Sequence, residues 1–274
     1  MTEDPWDRAR AAAAAAGVRL APLTSLEDCD RLLDVMIATW GNHQLLPRET
    51  LRALGESGNV PWGAFEGDEL IGYVLDWIGA GPEGLHVHSH MLAAKPARRH
   101  RGVGYALKLA QRAKALERHV HVVRWTFDPL VARNAYLNLA KLGAIADHFA
   151  RSFYGEMTDV LNEGDRSDRL LVRWDLDREP PEPVQVPQAE GLPVVLRRGK
   201  GEQPLRGDAP GSIGSRLEVP PDLAELKSTV PASAAAWRDA VADAFEACFA
   251  AGLVATGFDR ERSSYVLEPE ARRR

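Results

Sequence analysis

The sequence predicts a mixed α/β (α+β) fold, and three observations carry that reading. An alternating, β-prone run from Leu85 to Ala94 gives way to a basic glycine turn, and the turn to a helical period. Strand and helix patterns alternate on both sides of that stretch. A segment rich in proline and acidic residues, Asp177 to Gln188, then reads as a linker before a shorter set of strands and helices.

The central stretch orders the rest. The strand stops at Lys95-Pro96, because proline cannot donate to a ladder. Beyond it, Val103, Ala106, Leu107, Ala110 and Ala113 fall on one helix face, and Lys108, Gln111, Arg112 and Lys114 are expected on the opposite, solvent face. The junction makes an anion site. A helix start offers unpaired N–H groups and a positive dipole end, Gly102 and Gly104 let a ligand approach the backbone, and Arg98, Arg99 and Arg101 add charge.

Taken in order, residues 1–17 read as an alanine-rich helical arm closed by Gly17. Val18–Leu23 is a strand, and Thr24 or Ser25 caps a helix carrying Leu26, Cys29, Leu32, Leu33, Met36 and Ile37 to Trp40-Gly41. Pro47 opens a short helix. Val60–Phe65 and Leu70–Trp77 form a hairpin about Glu66-Gly67-Asp68-Glu69. After the central helix come a strand, Val120–Phe127, a helix from Leu130 to Leu142 closed by Gly143, and strands Ala144–Tyr154 and Leu170–Leu176. In the last part, Val194–Arg197 and Arg216–Val219 read as strands and Pro221–Leu226 as a short helix. Ala232–Ala251 is an amphipathic helix, Leu253–Phe258 and Tyr265–Glu268 a hairpin, and Lys200–Gly211 a loop.

The central motif is neither a Walker loop nor a dinucleotide fingerprint. Arg99-His100-Arg101-Gly102-Val103-Gly104 instead resembles the pyrophosphate loop of the GNAT acyl-CoA acyltransferase superfamily, Gln/Arg-x-x-Gly-x-Gly/Ala, at the same strand-to-helix junction. The element order over residues 18–176 is similar to that family's, and Ala135, Leu139 and Gly143-Ala144 align with its Asn-x-x-Ala-x-x-x-Tyr-x-x-x-Gly-Phe segment. Trp125–Leu130, Asn134–Leu139 and Tyr154–Met157 also look like a poorly characterised branch of predicted acyltransferases, some associated with N-acylamino-acid metabolism. The resemblance implies a mixed, mostly antiparallel sheet of six to seven strands flanked by helices. The expected organisation is an arm, 1–17, an acyl-CoA-binding domain, 18–176, a linker, 177–190, and a small α+β unit, 191–274.

It also implies the chemistry. Acetyl-CoA, or another acyl-CoA, would thread between the fourth and fifth strands and pair with backbone at Leu92, Ala93 and Ala94. Its pyrophosphate would lie on Arg99, His100, Arg101, Gly102, Val103, Gly104 and Tyr105. Asn134 and Asn138 stand near the place of the family asparagine, which would fall at Ala132. The family often uses a carboxylate base on the fourth strand, and here that strand carries His86, His88 and His90 at period two. His90 is the expected base with His88 as helper. The row also fits a half-buried surface or adventitious metal, although Cβ atoms about 7 Å apart along a strand make a three-ligand site awkward. No metal is expected. The oxyanion would take a backbone N–H around Met91 or Leu92. The family's tyrosine acid falls at Leu139, which cannot donate, so Tyr136 or Tyr154 would stand in, or the thiolate would leave unassisted. Acceptor candidates are Trp40, His43, Trp77, Asp128 and, in the loop before the last strand, Arg166, Asp168 and Arg169.

Composition narrows the partners. Apolar and charged contents of 45% and 27% are those of a globular protein, and a net charge of −5 argues against general nucleic-acid binding. The two cysteines, Cys29 and Cys248, read as core thiols, and no apolar run is long enough for a membrane span. The expected setting is the cytoplasm, with a small amine or amino acid as acceptor and a homodimer left open. The rival readings are an acyl-CoA-binding module without catalysis and an enzyme acylating protein lysines.

Overall fold

A computed structural model describes residues 4–41, 46–98, 101–157, 165–178 and 189–270. The chain divides into two compact units, one of Met1–Trp125 with Asp175–Arg178, the other of Thr126–Met157, Gly164–Trp174 and Glu179–Arg274. No helix among the described residues is long and apolar enough to cross a membrane.

In the first unit the sheet order is β1 (Arg19–Pro22), β2 (Trp62–Glu66), β3 (Glu69–Gly81), β4 (Gly84–Ala94), β5 (Val122–Phe127). Neighbours are antiparallel as far as β4, and β4 and β5 are parallel. Helices cover both faces, and β3 is accordingly buried without a break from Leu70 to Asp76. On one face lies α2 (Leu26–Trp40), started by a capping box in which Ser25 and Asp28 satisfy each other's backbone N–H. Its Leu32, Val35 and Met36 pack with Leu51 of α3 (Arg48–Glu56) on Tyr73, Leu75 and Ala93. On the other face lies α4 (Val103–Glu117), whose Val103 and Leu107 pack on Ala64, Ile71 and Val74.

The helix α1 (Pro5–Ala16) starts on the Asp4 side chain and stops at Gly17, φ 69°. It runs antiparallel to α4. Trp6 donates to Glu117 Oε1 at 2.6 Å, and Ala16 lies beside Gly102 at the opposite end. α4 is buried more widely than its pattern predicts: Lys108, Gln111 and Arg112, expected opposite the apolar face, are 1%, 1% and 5% exposed. Their polar ends find partners on the sheet and at the Leu176 carbonyl rather than water.

In the second unit the expected helix Leu130–Leu142 is a single α-turn, α5 (Ala132–Ala135), continuing as a π-helix, Tyr136–Lys141, before Gly143 at φ 70°. The sheet order is β7 (Arg169–Asp175), β6 (Ile145–Ala150), β11 (Leu253–Asp259), β12 (Ser264–Pro269), β10 (Ser215–Glu218), β8 (Val194–Arg198), β9 (Pro204–Arg206). β6 ends earlier than expected because the chain turns at Ser152, φ 48°. β9 forms inside the expected Lys200–Gly211 loop. Two helices, α6 (Leu223–Thr229) and α7 (Pro231–Ala250), complete the unit. Phe245 of α7 stacks on Phe149 at 5.9 Å and meets Tyr265 edge-on at 5.0 Å. Cys29 and Cys248 are free and buried.

Candidate active site

The site begins with the register of β3 against β4. Leu75 pairs with Met91 and Asp76 with Ser89, so His90 is an extra residue, a β-bulge. Ahead of it, His88 sits opposite Trp77. The bulge keeps His90 beside the same indole: Trp77 lies 4.9 Å from each imidazole, and the imidazoles are 6.0 Å apart. By alternation along β3, Trp77 shares the face of Tyr73 and Leu75, the face covered by α2. His86 is packed closely over Gly79, where a Cβ would come within 2.9 Å of Nε2.

Burial lowers the His90 pKa from its ordinary value. Burial lowers that of His88 too, helped by His90, His86 and Lys108. Both imidazoles are therefore neutral near pH 7, the form that accepts a proton.

The opposite face of the same place is polar and closed. The ladder between β4 and β5 consists of Val87 with Val123 and His88 with Arg124, and pairing stops there although β4 runs on to Ala94. Ser89 and Trp125 are the first residues past the last pair. Against both lies the amine of Lys108, 2.9 Å from Ser89 Oγ and 3.7 Å from the Trp125 ring centroid. Gln111 Oε1 accepts from Lys108 at 2.9 Å, and Gln111 Nε2 donates to Asp76 at 2.8 Å. The other Asp76 oxygen accepts from Lys114 at 2.7 Å. Sequence reasoning missed this network. Its signal was an aspartate, Asp76, set in the apolar run of β3.

The start of α4 fits a diphosphate. Its N-cap, Gly102, has φ 86° and gives no side-chain cap, and no acidic residue lies in the first turn. Arg101 is exposed beside it. Val103 and Gly104 open the helix, Tyr105 follows in its first turn, and Leu92, Ala93 and Ala94 end β4 on the near side. Arg99, His100 and His43 lie outside the described residues. Trp40 ends α2 and packs against that helix's core.

The remaining candidates lie in the second unit. Asn134 is in α5, and Asn138, buried in the π-helix, accepts from Ala144 N–H through its backbone carbonyl. Tyr136 opens the π-helix with the Arg260 guanidinium 5.5 Å over its ring. Tyr154 is in the turn after β6 rather than on the strand, 43% exposed, with its hydroxyl 3.2 Å from Thr126 Oγ1. Arg169 is buried over the Tyr154 ring at 5.3 Å and donates to the Asp168 carbonyl. Asp128 holds the guanidinium of Arg238 at 2.6 and 2.9 Å, and Asp165 takes the same group. Arg166 and Asp168 are salt-bridged at 2.7 Å. The geometry therefore commits Asp128, Arg166 and Asp168 to ion pairs within the protein.

Residues 28–143 match the model of the Acetyltransferase (GNAT) family. Among solved structures, the ribosomal-protein-S18-alanine N-acetyltransferase of Escherichia coli is 12% identical, with 61% of this chain and 99% of that one covered at a TM-score of 0.48. For yncA of Salmonella typhimurium, solved with its cofactor acetyl-CoA, the values are 16%, 60%, 97% and 0.47. For an N-acetyltransferase of Staphylococcus aureus they are 9%, 58%, 98% and 0.48. A search of the curated proteins finds no match. The match over residues 28–143 identifies a GNAT acetyltransferase domain in that stretch, and the enzyme class such a domain supports is acyl transfer.

Proposed function

We propose that the chain transfers an acyl group, acetyl by default, from acyl-CoA directly to the amine of a small molecule, amino acids among them. Succinyl is the alternative donor. The observation that carries the reading is one junction. A glycine-capped, basic helix start follows a strand whose pairing with its neighbour stops midway, at His88 with Arg124.

In this reading residues 18–176 are the acyl-CoA-binding domain and 191–274 its extension, in a cytoplasmic protein that can pair as a homodimer. The residues from Arg99 to Tyr105 hold the pyrophosphate, Leu92–Ala94 the pantetheine amides, and Asn134 and Asn138 support the cofactor from the following helix. His90 takes the acceptor's proton with His88 as relay, and a backbone N–H near Met91 meets the oxyanion. Trp40, His43, Trp77 and Arg169 are the acceptor-side candidates. Tyr136 and Tyr154 are the hydroxyls proposed from the sequence for the departing thiolate.

A second reading, a binding module without turnover, is favoured by Leu139, which is buried at 1% exposure where the family tyrosine would stand. One experiment separates them. Acetyl-CoA and succinyl-CoA are incubated with pooled amino acids and polyamines, followed by mass spectrometry and by calorimetry with coenzyme A. A mass shift of one pool member supports the enzyme. Heat with no product supports the module, and no heat rejects both.

A further inference from the structure

We propose that Lys108 is the proton donor to the departing thiolate, acting from the face of the sheet opposite His90. The assignment rests on the acyltransferase reading above. Three positions argue for it. Ser89 and Trp125 border β4 and β5 where pairing ends, and Lys108 Nζ lies against both, at the narrow end of the opening between the strands. Ser89 points away from the face that carries His88 and His90, because successive residues of a strand alternate. A thioester held between the strands therefore has a neutral imidazole on one side and this amine on the other.

The amine is also unlike an ordinary structural lysine. It is 1% exposed yet bonded to a hydroxyl and an amide rather than to a carboxylate, and Asp76 reaches it only through Gln111. Burial without a direct counter-ion lowers its pKa to about 7, with Asp76 opposing the shift. An acid of that strength gives up its proton readily to a thiolate whose conjugate acid is near 8.5. The groups facing it are Asp76 from β3, His88 and Ser89 from β4, Trp125 from β5 and Gln111 and Lys114 from α4 itself.

The step balances. The acceptor nitrogen forms a bond to the carbonyl carbon and loses its proton toward His90. The carbon–sulfur bond breaks with its electron pair going to sulfur. One Lys108 N–H proton passes to that sulfur, giving free thiol and a neutral amine that is reprotonated from water after release.

The test uses coenzyme A and needs no acceptor. Thiolate absorbance of the bound thiol is followed against pH in the wild type and in Lys108→Met. A cation beside the sulfur favours the thiolate only while Lys108 keeps its proton, so the wild-type midpoint is expected lower by about a few tenths of a pH unit. Because the variant could misfold, the second measurement keeps the native chain: the ¹⁵Nζ resonance of Lys108 is titrated with coenzyme A and with desulfo-coenzyme A. Its midpoint should rise with the thiol and stay put with the desulfo analogue. Equal thiol midpoints in both proteins, or equal lysine midpoints with both ligands, overturn the assignment while leaving acyl-CoA binding intact. Failure of the wild type to bind coenzyme A overturns it together with the reading beneath it.

Discussion

His90 is defined by a contact that spans strands rather than by its neighbours in sequence. Period two along β4 makes the histidine row legible, but the bulge that adds His90 exists only through the pairing of Leu75 with Met91 and Asp76 with Ser89. In the same way Asp128 read as a candidate for the acceptor pocket, while its partner Arg238 lies far along the chain. The histidines make two predictions. His90→Ala should lower kcat about 10²- to 10⁴-fold, the range for a lost general base, while calorimetry shows coenzyme A binding unchanged. Loss of binding as well would mean the residue is structural. Because burial depresses the His90 pKa, the base stays unprotonated to lower pH than a free imidazole. The acid limb of kcat/KM should therefore fall at a midpoint below 6.5, the ordinary histidine value. A midpoint above it would point to a base stabilised in its charged form.

At the scale of elements, α4 is the one whose identity was plain in the sequence and whose surroundings were not. Its start follows from Gly102 and its period from the apolar positions, but the amphipathic pattern does not show that the sheet takes up the polar side chains as well. Polar residues at Lys108, Gln111 and Lys114 look like a surface stripe to any local rule. Only the aspartate on β3 makes them a buried network. The π-helix was illegible for a related reason, since α and π turns share nearly the same local preferences. Gly102 tests the helix start. Its φ of 86° is strained for a branched side chain, so Gly102→Val should cost about 1–2 kcal/mol in urea unfolding and weaken coenzyme A binding. Gly72 tests the sheet beneath. A Cβ there would lie 2.7 Å from the Ala93 carbonyl oxygen, so Gly72→Ala should push β3 from β4 at about 1–3 kcal/mol. An unchanged unfolding midpoint would show that the strands already stand further apart.

At the scale of the chain, composition predicts a break in the proline- and acid-rich stretch after Asp177, most of which lies outside the described residues, and what the segment beyond it covers was not legible. That depends on long-range partners: Ala146 of β6 pairs with Ala255 of β11, Phe149 stacks on Phe245, and Arg151 binds Asp243 and Glu246. The sharpest of these ties is Arg238, whose side chain is 4% exposed between Asp128 and Asp165. Burial pulls the Asp165 pKa up, but Arg238 and Lys227 more than offset it, and the net shift is downward. The sign follows. Asp165 adds stability that is present above the ordinary carboxylate range and is lost as pH falls through its lowered value. Arg238→Met leaves the two acids facing each other without their counter-ion, a loss of about 3–5 kcal/mol at pH 7. Near pH 3 Asp165 takes up a proton in the variant, so the deficit against the wild type should shrink. Urea melts at both pH values measure this, and an equal deficit at each would mean that the arginine serves by packing alone. A chain ended at Arg178 loses Arg238 together with β11 and Phe245, so it should show no cooperative melt by calorimetry. A sharp transition there would mean that the first 178 residues carry a sufficient core by themselves.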